Sequence, residues 1–219
     1  MSSPYEKLPY LEAYARHTDV RVAEDPHEAI GGLWEELGRL QFDFLVRHGL
    51  QRDHALLDLG CGTLRGGRHF IRYLNPGRYT GFDMSRGAID YAHKLVDDEG
   101  LRDKNPALIV STEKNLQFER FLGQRFDFLL AQSVFTHLMA EHIEECFAHI
   151  GKIMHPQSSF FFTYFKGNAR RVADKSFSYP LAFFTDLAAQ NGMTIERCND
   201  YDHPRQQRML VARLADPAA

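Results

Sequence analysis

Two short segments have the residue types that a ligand-binding turn requires. Residues 56–67 read Leu-Leu-Asp-Leu-Gly-Cys-Gly-Thr-Leu-Arg-Gly-Gly, an apolar run that leads into a glycine-rich turn. Gly60 and Gly62 lack a Cβ, so the backbone there can turn tightly and approach a ligand closely. The next apolar run ends in Asp83, 25 residues after Asp58. In open parallel sheets an acid at that position reaches a ribose bound over the first turn, so the two segments together predict a nucleoside site.

Each segment also has a simpler interpretation. A tight turn favours glycine even without a ligand. Asp83 lies just before Ser85, at the predicted start of a helix, where a carboxylate can act as a cap. The helix predicted to follow the glycine turn supports the ligand interpretation, because its unpaired N–H groups and its positive end face the same space.

Apolar runs alternate with helical patterns from residue 55 onward, which is typical of an α/β protein. Seven strands are predicted, at 55–59, 79–82, 107–110, 126–131, 160–164, 194–200 and 209–214. Helices are predicted at 63–74, 86–99, 140–154 and 180–191. No helix separates the last two strands, so we expect them to form a hairpin. This hairpin adds an antiparallel last strand to a doubly wound, mostly parallel seven-stranded sheet.

Residues 1–49 precede this alternation and are expected to form an N-terminal helical extension that can cover a pocket in the main domain, 50–219. Asp25 and Pro26 are a typical N-cap and first helical residue. Apolar residues then recur at helical spacing, so one long helix is predicted from Pro26 to about residue 48.

The composition is that of a globular and slightly acidic protein. Of 219 residues 44% are apolar, and 26 Lys and Arg stand against 29 Asp and Glu, for a net charge of −3. The lack of a basic excess gives no support for nucleic-acid binding. No apolar stretch approaches the roughly 18–20 residues of a membrane span, and the first residues lack the apolar core of a secretory signal. We therefore expect a cytoplasmic protein that binds neither nucleic acid nor membrane.

The cysteines and histidines do not form a recognisable metal-binding pattern. The three cysteines are widely spaced without a Cys-x-x-Cys pair, and the eleven histidines are scattered along the chain. No bound metal is predicted.

The motifs resemble those of the class I methyltransferases that use S-adenosylmethionine (SAM). Residues 58–63, Asp-Leu-Gly-Cys-Gly-Thr, are similar to the first motif of that family, and residues 81–85, Gly-Phe-Asp-Met-Ser, to its second. Residues 126–133, followed by His137, look like its fourth-strand motif and loop. The resemblance covers about residues 50–214 and implies a Rossmann-like methyltransferase fold, SAM as cofactor and an enzyme of class EC 2.1.1.

The resemblance also implies roles for individual residues. The turn at Gly60 and Gly62 would lie against the methionyl part of SAM, and Asp58 would hold the turn or the amino group of the ligand. Asp83 would bind both ribose hydroxyls, and Met84 would pack on the adenine. The remaining candidate cofactor-binding residues are Cys61 in the turn, Arg65 at the start of the next helix, Thr112 after the third strand, and Gln132 and Ser133 after the fourth strand.

His137 is the candidate catalytic residue. A sulfonium methyl is already a good electrophile, so alignment of the reactants in a dry pocket supplies much of the acceleration. A general base is needed only when the acceptor arrives protonated, and the ordinary pKa of histidine suits that task near neutral pH. An equally open interpretation is that His137 caps or orients the helix beginning near Met139.

Methylation of a small-molecule acceptor with SAM is the predicted function, and three alternatives remain. One is an oxidoreductase that binds another nucleotide on the same fold, although the dinucleotide fingerprint would need glycine where Arg65 stands. Another is a SAM-binding module without turnover. The third is a methyltransferase with a macromolecular acceptor, either RNA or protein.

Overall fold

The computed structural model describes Tyr5 and residues 7–111 and 115–216. Within these residues the strands, in chain order, are β1 (Leu56–Leu59), β2 (Tyr79–Asp83), β3 (Ala107–Val110), β4 (Phe128–Ala131), β5 (Ser159–Lys166), β6 (Arg170–Ala173), β7 (Ser176–Tyr179), β8 (Met193–Cys198) and β9 (Arg208–Leu214). The α-helices are α1 (Tyr10–Glu24), α2 (Pro26–Ala29), α3 (Trp34–Arg47), α4 (Gly67–Tyr73), α5 (Arg86–Asp98), α6 (Ala140–Ile150) and α7 (Leu181–Gln190).

The described residues form two compact units. The N-terminal unit contains the described residues up to 53 together with 60–111, and the C-terminal unit contains residues 54–59 together with 115–216. The predicted fold class is confirmed: the chain is α/β, with mostly parallel strands, an antiparallel last strand and N-terminal helices. None of the described helices combines the length and the apolar character that a membrane crossing requires.

In the N-terminal unit, β2 and β3 pair in parallel, with Asp83 opposite Val110 at their carboxyl ends. The connection between them is α5, whose buried residues follow helical spacing and cover the strand pair with one face. Ser85 is the N-cap of α5, because its side chain accepts a hydrogen bond from the Ala88 amide at 3.0 Å. This arrangement places the end of β2 and the start of α5 at one edge.

The N-terminal helices differ from the prediction at one point. The expected single helix from Pro26 is interrupted by Gly31 and Gly32, whose φ angles are 89° and 59°, and by Leu33, whose φ angle is 50°. Three consecutive left-handed residues cannot continue a right-handed helix, so α2 ends and α3 starts anew. The predicted cap is present, since Asp25 Oδ1 accepts the His27 amide at 2.8 Å.

In the C-terminal unit, β1, β4 and β5 are parallel neighbours. β9 runs antiparallel to β5, and β8 pairs with β9, which is the predicted closing hairpin. Helices α6 and α7 pack through a cluster of fully buried aromatic rings whose centroids lie 5.0–6.2 Å apart. Its members are Phe135, Phe147, Phe160, Phe162 and Phe184. Such rings contribute large buried area, so this cluster is a rigid support for the ends of β4 and β5.

One hairpin was not predicted. The segment after β5 contains β6 and β7, which pair antiparallel with each other. β7 also extends the end of β5 in parallel, with Ser178 opposite Phe165. The residues of β6 are all exposed, so they lack the apolar run by which the other strands were recognised.

Candidate functional site

The glycine turn and Asp83 meet in the N-terminal unit. Gly60 and Gly62 have φ angles of 66° and 55°, a left-handed conformation that glycine adopts without steric cost. The Gly62 amide donates to Asp83 Oδ2 at 2.9 Å, and the Gly60 amide donates to the carbonyl oxygen of Phe82 at 2.8 Å. The two segments that predict a nucleoside site are therefore joined by direct hydrogen bonds.

The N-terminal segment packs directly against this turn. A Cβ at Gly62 would lie 2.9 Å from Cγ2 of Ile30, which is too close for any real contact. The next residue, Thr63, donates its hydroxyl to the carbonyl oxygen of Pro26 at 3.0 Å. Residue 62 is thus restricted to glycine by its conformation and by the space that the N-terminal segment leaves.

Asp83 is held by backbone donors on both carboxylate oxygens. In addition to the Gly62 contact, the Ser85 amide donates to Oδ1 at 2.8 Å. Burial raises the pKa of Asp83 and outweighs the hydrogen bonds from the Ser85, Gly62 and Met84 amides, which lower it; the charge of Asp19 raises it further. Each oxygen has a second lone pair, so the carboxylate can accept two hydroxyl groups without losing its backbone donors.

Asp83 is not itself the N-cap of α5. Ser85 is the N-cap of α5, and its own side chain makes the cap bond to the Ala88 amide. The bond from the Ser85 amide to Asp83 Oδ1 instead fixes the direction of the carboxylate.

Arg65 lies just before α4 and is buried, with 6% of its surface exposed. Its Nη1 donates to the carbonyl oxygens of Ile30 at 3.0 Å and Gly32 at 2.8 Å. Ile30 and Gly32 lie between the end of α2 and the start of α3, so Arg65 satisfies carbonyl acceptors that the interrupted helix leaves open. Its predicted contact with the SAM carboxylate stays a prediction.

The other predicted cofactor-binding residues are placed as follows. Asp58 is buried in β1 of the C-terminal unit, with its backbone paired to Leu130 of β4. Cys61 is buried within the turn, and Met84 is half-buried directly after Asp83. Thr112 lies outside the described residues.

A buried polar network lies at the carboxyl ends of β4 and β5 in the C-terminal unit. Gln207 Oε1 accepts the hydroxyl of Thr163 at 2.6 Å and that of Ser133 at 3.0 Å. The Tyr201 hydroxyl donates to Gln132 Oε1 at 2.6 Å, and the Ser133 amide donates to Thr163 Oγ1 at 2.7 Å. Ser133 has a φ angle of 59°, so the network holds the chain in a conformation that serine rarely adopts.

His137 follows in the same loop and is half-buried. Its Nδ1 contacts the carbonyl oxygen of Lys175, which can only accept, so Nδ1 carries the proton and Nε2 carries a lone pair. Burial lowers the pKa of His137 and outweighs the contact with the Lys175 carbonyl, which raises it. The ring is therefore neutral at pH 7 and able to accept a proton at Nε2.

The helix-capping interpretation of His137 is not supported within the described residues. The N-cap of α6 is Met139, and no side chain makes a cap hydrogen bond there. What holds the loop is the β6–β7 hairpin. The Phe177 amide donates to the carbonyl oxygen of Thr136 at 2.9 Å, and the Tyr179 hydroxyl donates to that of Leu138 at 2.7 Å.

Comparison with known proteins agrees with the resemblance found in the sequence. Residues 57–160 match the family model described as a methyltransferase domain. The resemblance to class I SAM-dependent methyltransferases is confirmed. Among solved structures, the magnesium protoporphyrin IX methyltransferase of Synechocystis PCC 6803 with bound SAM matches with a TM-score of 0.72 at 15% identity, covering 95% of this chain and 98% of that one.

Two further methyltransferases show the same fold. The CcbJ methyltransferase of Streptomyces caelestis matches with a TM-score of 0.71 at 16% identity, covering 93% of this chain and 98% of that one. The mitomycin 7-O-methyltransferase MmcR matches with a TM-score of 0.62 at 16% identity, covering 97% of this chain and 68% of that one. At these identities the solved structures establish a common fold, and the acceptors in their names belong to those proteins.

Some residues of the candidate site were missed by reasoning from sequence. Gln207, Thr163 and Tyr201 come from three separate parts of the chain and share no spacing that would group them. Asp19 in α1 contacts the start of α5, although the sequence of α1 gives no sign of such a contact. Among the described residues, no group of three or more His, Cys, Asp or Glu side chains is placed to hold a metal ion.

Proposed function

We propose that this protein transfers a methyl group from SAM to a small-molecule acceptor. The observation that carries the proposal is the hydrogen bond of 2.9 Å between the Gly62 amide and Asp83 Oδ2. It joins a glycine turn to a fixed carboxylate that can accept the two hydroxyls of a ribose. The SAM named with the magnesium protoporphyrin IX methyltransferase supports the choice of cofactor.

Each residue in and near the glycine turn would bind a different part of the cofactor. Asp83 accepts the ribose hydroxyls, and Met84 packs on the adenine. Gly60 and Gly62 let the backbone approach the methionyl part, and Asp58 holds the turn or the amino group. Cys61, Arg65 and Thr112 complete the proposed cofactor set.

SAM supplies a methyl group that is already activated by a positively charged sulfur. The chain therefore has to align the acceptor and exclude water. His137 Nε2 would take the proton of an acceptor that arrives as a hydroxyl or an ammonium. Gln132 and Ser133 are proposed to bind the cofactor or acceptor, and residues 1–49 are proposed as a helical cover on the main domain.

A small-molecule acceptor is favoured over a macromolecule by charge and by the names of the similar structures. The chain has a net charge of −3, whereas phosphate binding is built from clustered Lys and Arg. The compound named for MmcR is mitomycin, and that for the Synechocystis enzyme is magnesium protoporphyrin IX. Cytoplasmic localisation remains part of the proposal.

Calorimetric titration with S-adenosylhomocysteine (SAH) tests the cofactor assignment. Wild type should bind SAH and should not bind NADH. Asp83→Asn should weaken SAH binding by about 100-fold, because two hydrogen bonds to a charged group are each weakened. Asp90→Asn, at an exposed acid of α5, is the matched control and should leave the affinity unchanged. Equal affinity in wild type and Asp83→Asn would contradict the proposal.

Transfer of label from SAM tests the reaction itself. A panel of phenols, amines, carboxylic acids and sugars should include compounds that receive the labelled methyl group from wild type but not from Asp83→Asn. Binding of SAH without transfer to any compound would favour the SAM-binding module over the enzyme.

A further inference from the structure

A carboxylate from α1 reaches the start of α5. Asp19 Oδ1 accepts the hydroxyl of Ser85 at 2.6 Å and the amide of Gly87 at 2.9 Å. The Gly87 amide is one of the first donors of α5 that has no partner within the helix. Asp19 therefore supplies an acceptor that α5 itself lacks, and its bond to Ser85 joins two residues that are 66 apart in sequence.

Ser85 connects this contact to Asp83. Its amide donates to Asp83 Oδ1 at 2.8 Å, while its hydroxyl donates to Asp19 and accepts the Ala88 amide at 3.0 Å. The Ser85 side chain is fully buried. Since the amide and the hydroxyl of Ser85 are both engaged, a displacement of Asp19 changes the position of Ser85 and with it the support of the Asp83 carboxylate.

Helix α1 packs on α5 with few fully buried apolar side chains. Ala13 and Val22 are buried in this 15-residue helix, and the half-buried Tyr14 faces Asp83. A Cβ at Gly87 would lie 3.2 Å from Asp19 Oδ1 and 3.6 Å from the Asp19 Cα. The two helices are thus in close contact at the point where the polar bonds form.

We propose that Asp19 is a positioning residue for the cofactor: it docks α1 on the start of α5 and, through Ser85, orients the ribose-binding carboxylate of Asp83. The role of Asp83 in this inference rests on the proposed function. Asp19 itself does not touch the cofactor, and its effect on cofactor affinity is a coupling between α1 docking and the Asp83 site. Such coupling is reciprocal, so bound SAH should also stabilise the docked α1.

The charges around Asp83 affect its pKa, a quantity that distinguishes a positioning role of Asp19 from a role in packing alone. From α1 the carboxylate faces Asp19 and Tyr14, and from the turn and the start of α5 it faces the amides of Gly62, Met84 and Ser85. The pKa of the Tyr14 phenol is raised by burial and by Asp83, so this group is neutral. Asp19 is thus the anionic neighbour in this set, and its charge raises the pKa of Asp83.

The experiment compares wild type with Asp19→Asn, Ser85→Ala and Gly87→Ala by SAH titration between pH 4 and pH 8. Asp90→Asn is again the control. At pH 7 each of the three variants should bind SAH about tenfold more weakly, within the usual range of coupling energies. Asp19→Asn should also shift the acid limb of SAH binding to lower pH, because Asp83 loses a like-charged neighbour. Ser85→Ala and Gly87→Ala keep the Asp19 charge and should shift the acid limb less.

A measurement on the unliganded protein separates this inference from the proposed function. The carboxyl carbon-13 resonance of Asp83 reports its pKa directly, and that pKa should fall in Asp19→Asn whether or not SAH binds. Hydrogen exchange should show faster exchange of the Gly87 amide and of α1 in the same variant. Thermal unfolding checks that each variant is folded.

Two results would overturn the inference. One is an Asp19→Asn protein that binds SAH within twofold of wild type with an unmoved acid limb. The other is an unchanged Asp83 pKa together with unchanged exchange in α1. If wild type does not bind SAH but Asp19→Asn still lowers the pKa of Asp83, the proposed function is refuted. The contact between α1 and Asp83 would then remain established.

Discussion

The two units build their polar sites from different parts of the chain. In the N-terminal unit the carboxylate of Asp83 is held by backbone amides of Gly62 and Ser85. In the C-terminal unit, Gln207 holds Ser133 and Thr163 through side chains alone. Backbone donors depend on conformation and survive most substitutions, whereas a side-chain network depends on the identity of each member. The proposed cofactor site thus depends on local backbone geometry. The proposed acceptor site depends on side chains that substitutions can change.

The largest expected effect tests whether the C-terminal unit contributes to turnover without contributing to cofactor affinity. His137→Gln should lower turnover by about 100-fold with a protonated acceptor, because general-base catalysis is lost, while SAH affinity stays within twofold. Since burial lowers the pKa of His137 below its ordinary value, wild-type turnover should rise with pH through an acid limb below pH 6.5 and then level. The measurements are steady-state rates against pH and SAH titration.

The control for this variant is His142→Gln, at another half-buried histidine of the same unit. Its turnover should remain close to that of wild type. If His137→Gln kept turnover within threefold of wild type, proton transfer would not involve this ring.

A second prediction tests the dependence of the N-terminal unit on backbone conformation. Gly62→Ala should destabilise the protein by about 2 kcal/mol or more, because left-handed strain adds to a collision with Ile30. Gly100→Ala is the matched control: its φ angle is 65°, and a Cβ there meets no atom within 4 Å. Urea unfolding should show the smaller loss, about 1 kcal/mol, for the control. Equal losses at both positions would mean that the contact with Ile30 contributes nothing.

A third prediction tests the side-chain network. Gln207→Ala removes the acceptor of the buried Thr163 hydroxyl and of the half-buried Ser133 hydroxyl, and should cost about 1–3 kcal/mol in the free energy of unfolding. Gln206→Ala, at the exposed neighbouring residue, should cost less than about 0.5 kcal/mol. The comparison fails if chemical denaturation gives the same value for both variants.

The smallest expected effect concerns the break between α2 and α3. Leu33 has a φ angle of 50° and is 39% exposed. Leu33→Asn should raise the free energy of unfolding by about 0.5 kcal/mol, since asparagine tolerates the left-handed region better than leucine. Leu122→Asn, at an exposed leucine with a φ angle of −58°, should give no such gain. A stability loss at position 33 would show that the Leu33 side chain contributes more by packing than it costs by strain.

The same contrast explains what the sequence could predict. The strands, the glycine turn and Asp83 depend on local apolar runs and short motifs, and the structure has them close to their predicted positions. The bond between the Gly62 amide and Asp83 follows from two segments that are each recognisable alone. Each of these segments can be recognised from its own local sequence.

The features that were missed depend on distant contacts or on weak local signals. Gly31 and Gly32 interrupt a helix whose apolar spacing continues across the break, and Arg65 stabilises that break from another part of the chain. β6 is an exposed strand without an apolar run, so its sequence looks like a loop. Gln207 and Thr163 are 44 residues apart, and only the folded chain brings them together.

The hold on His137 by the β6–β7 hairpin has a consequence for protein engineering. The contact with Nδ1 comes from a main-chain carbonyl at Lys175, so the tautomer does not depend on which side chain stands at that position. Lys175 is half-buried at the tip of the hairpin and its neighbour Asp174 is exposed, so the side chains of the tip can be exchanged while this carbonyl is retained. Libraries that vary these two side chains alone would alter the chemical surroundings of the imidazole without changing any residue of the glycine turn.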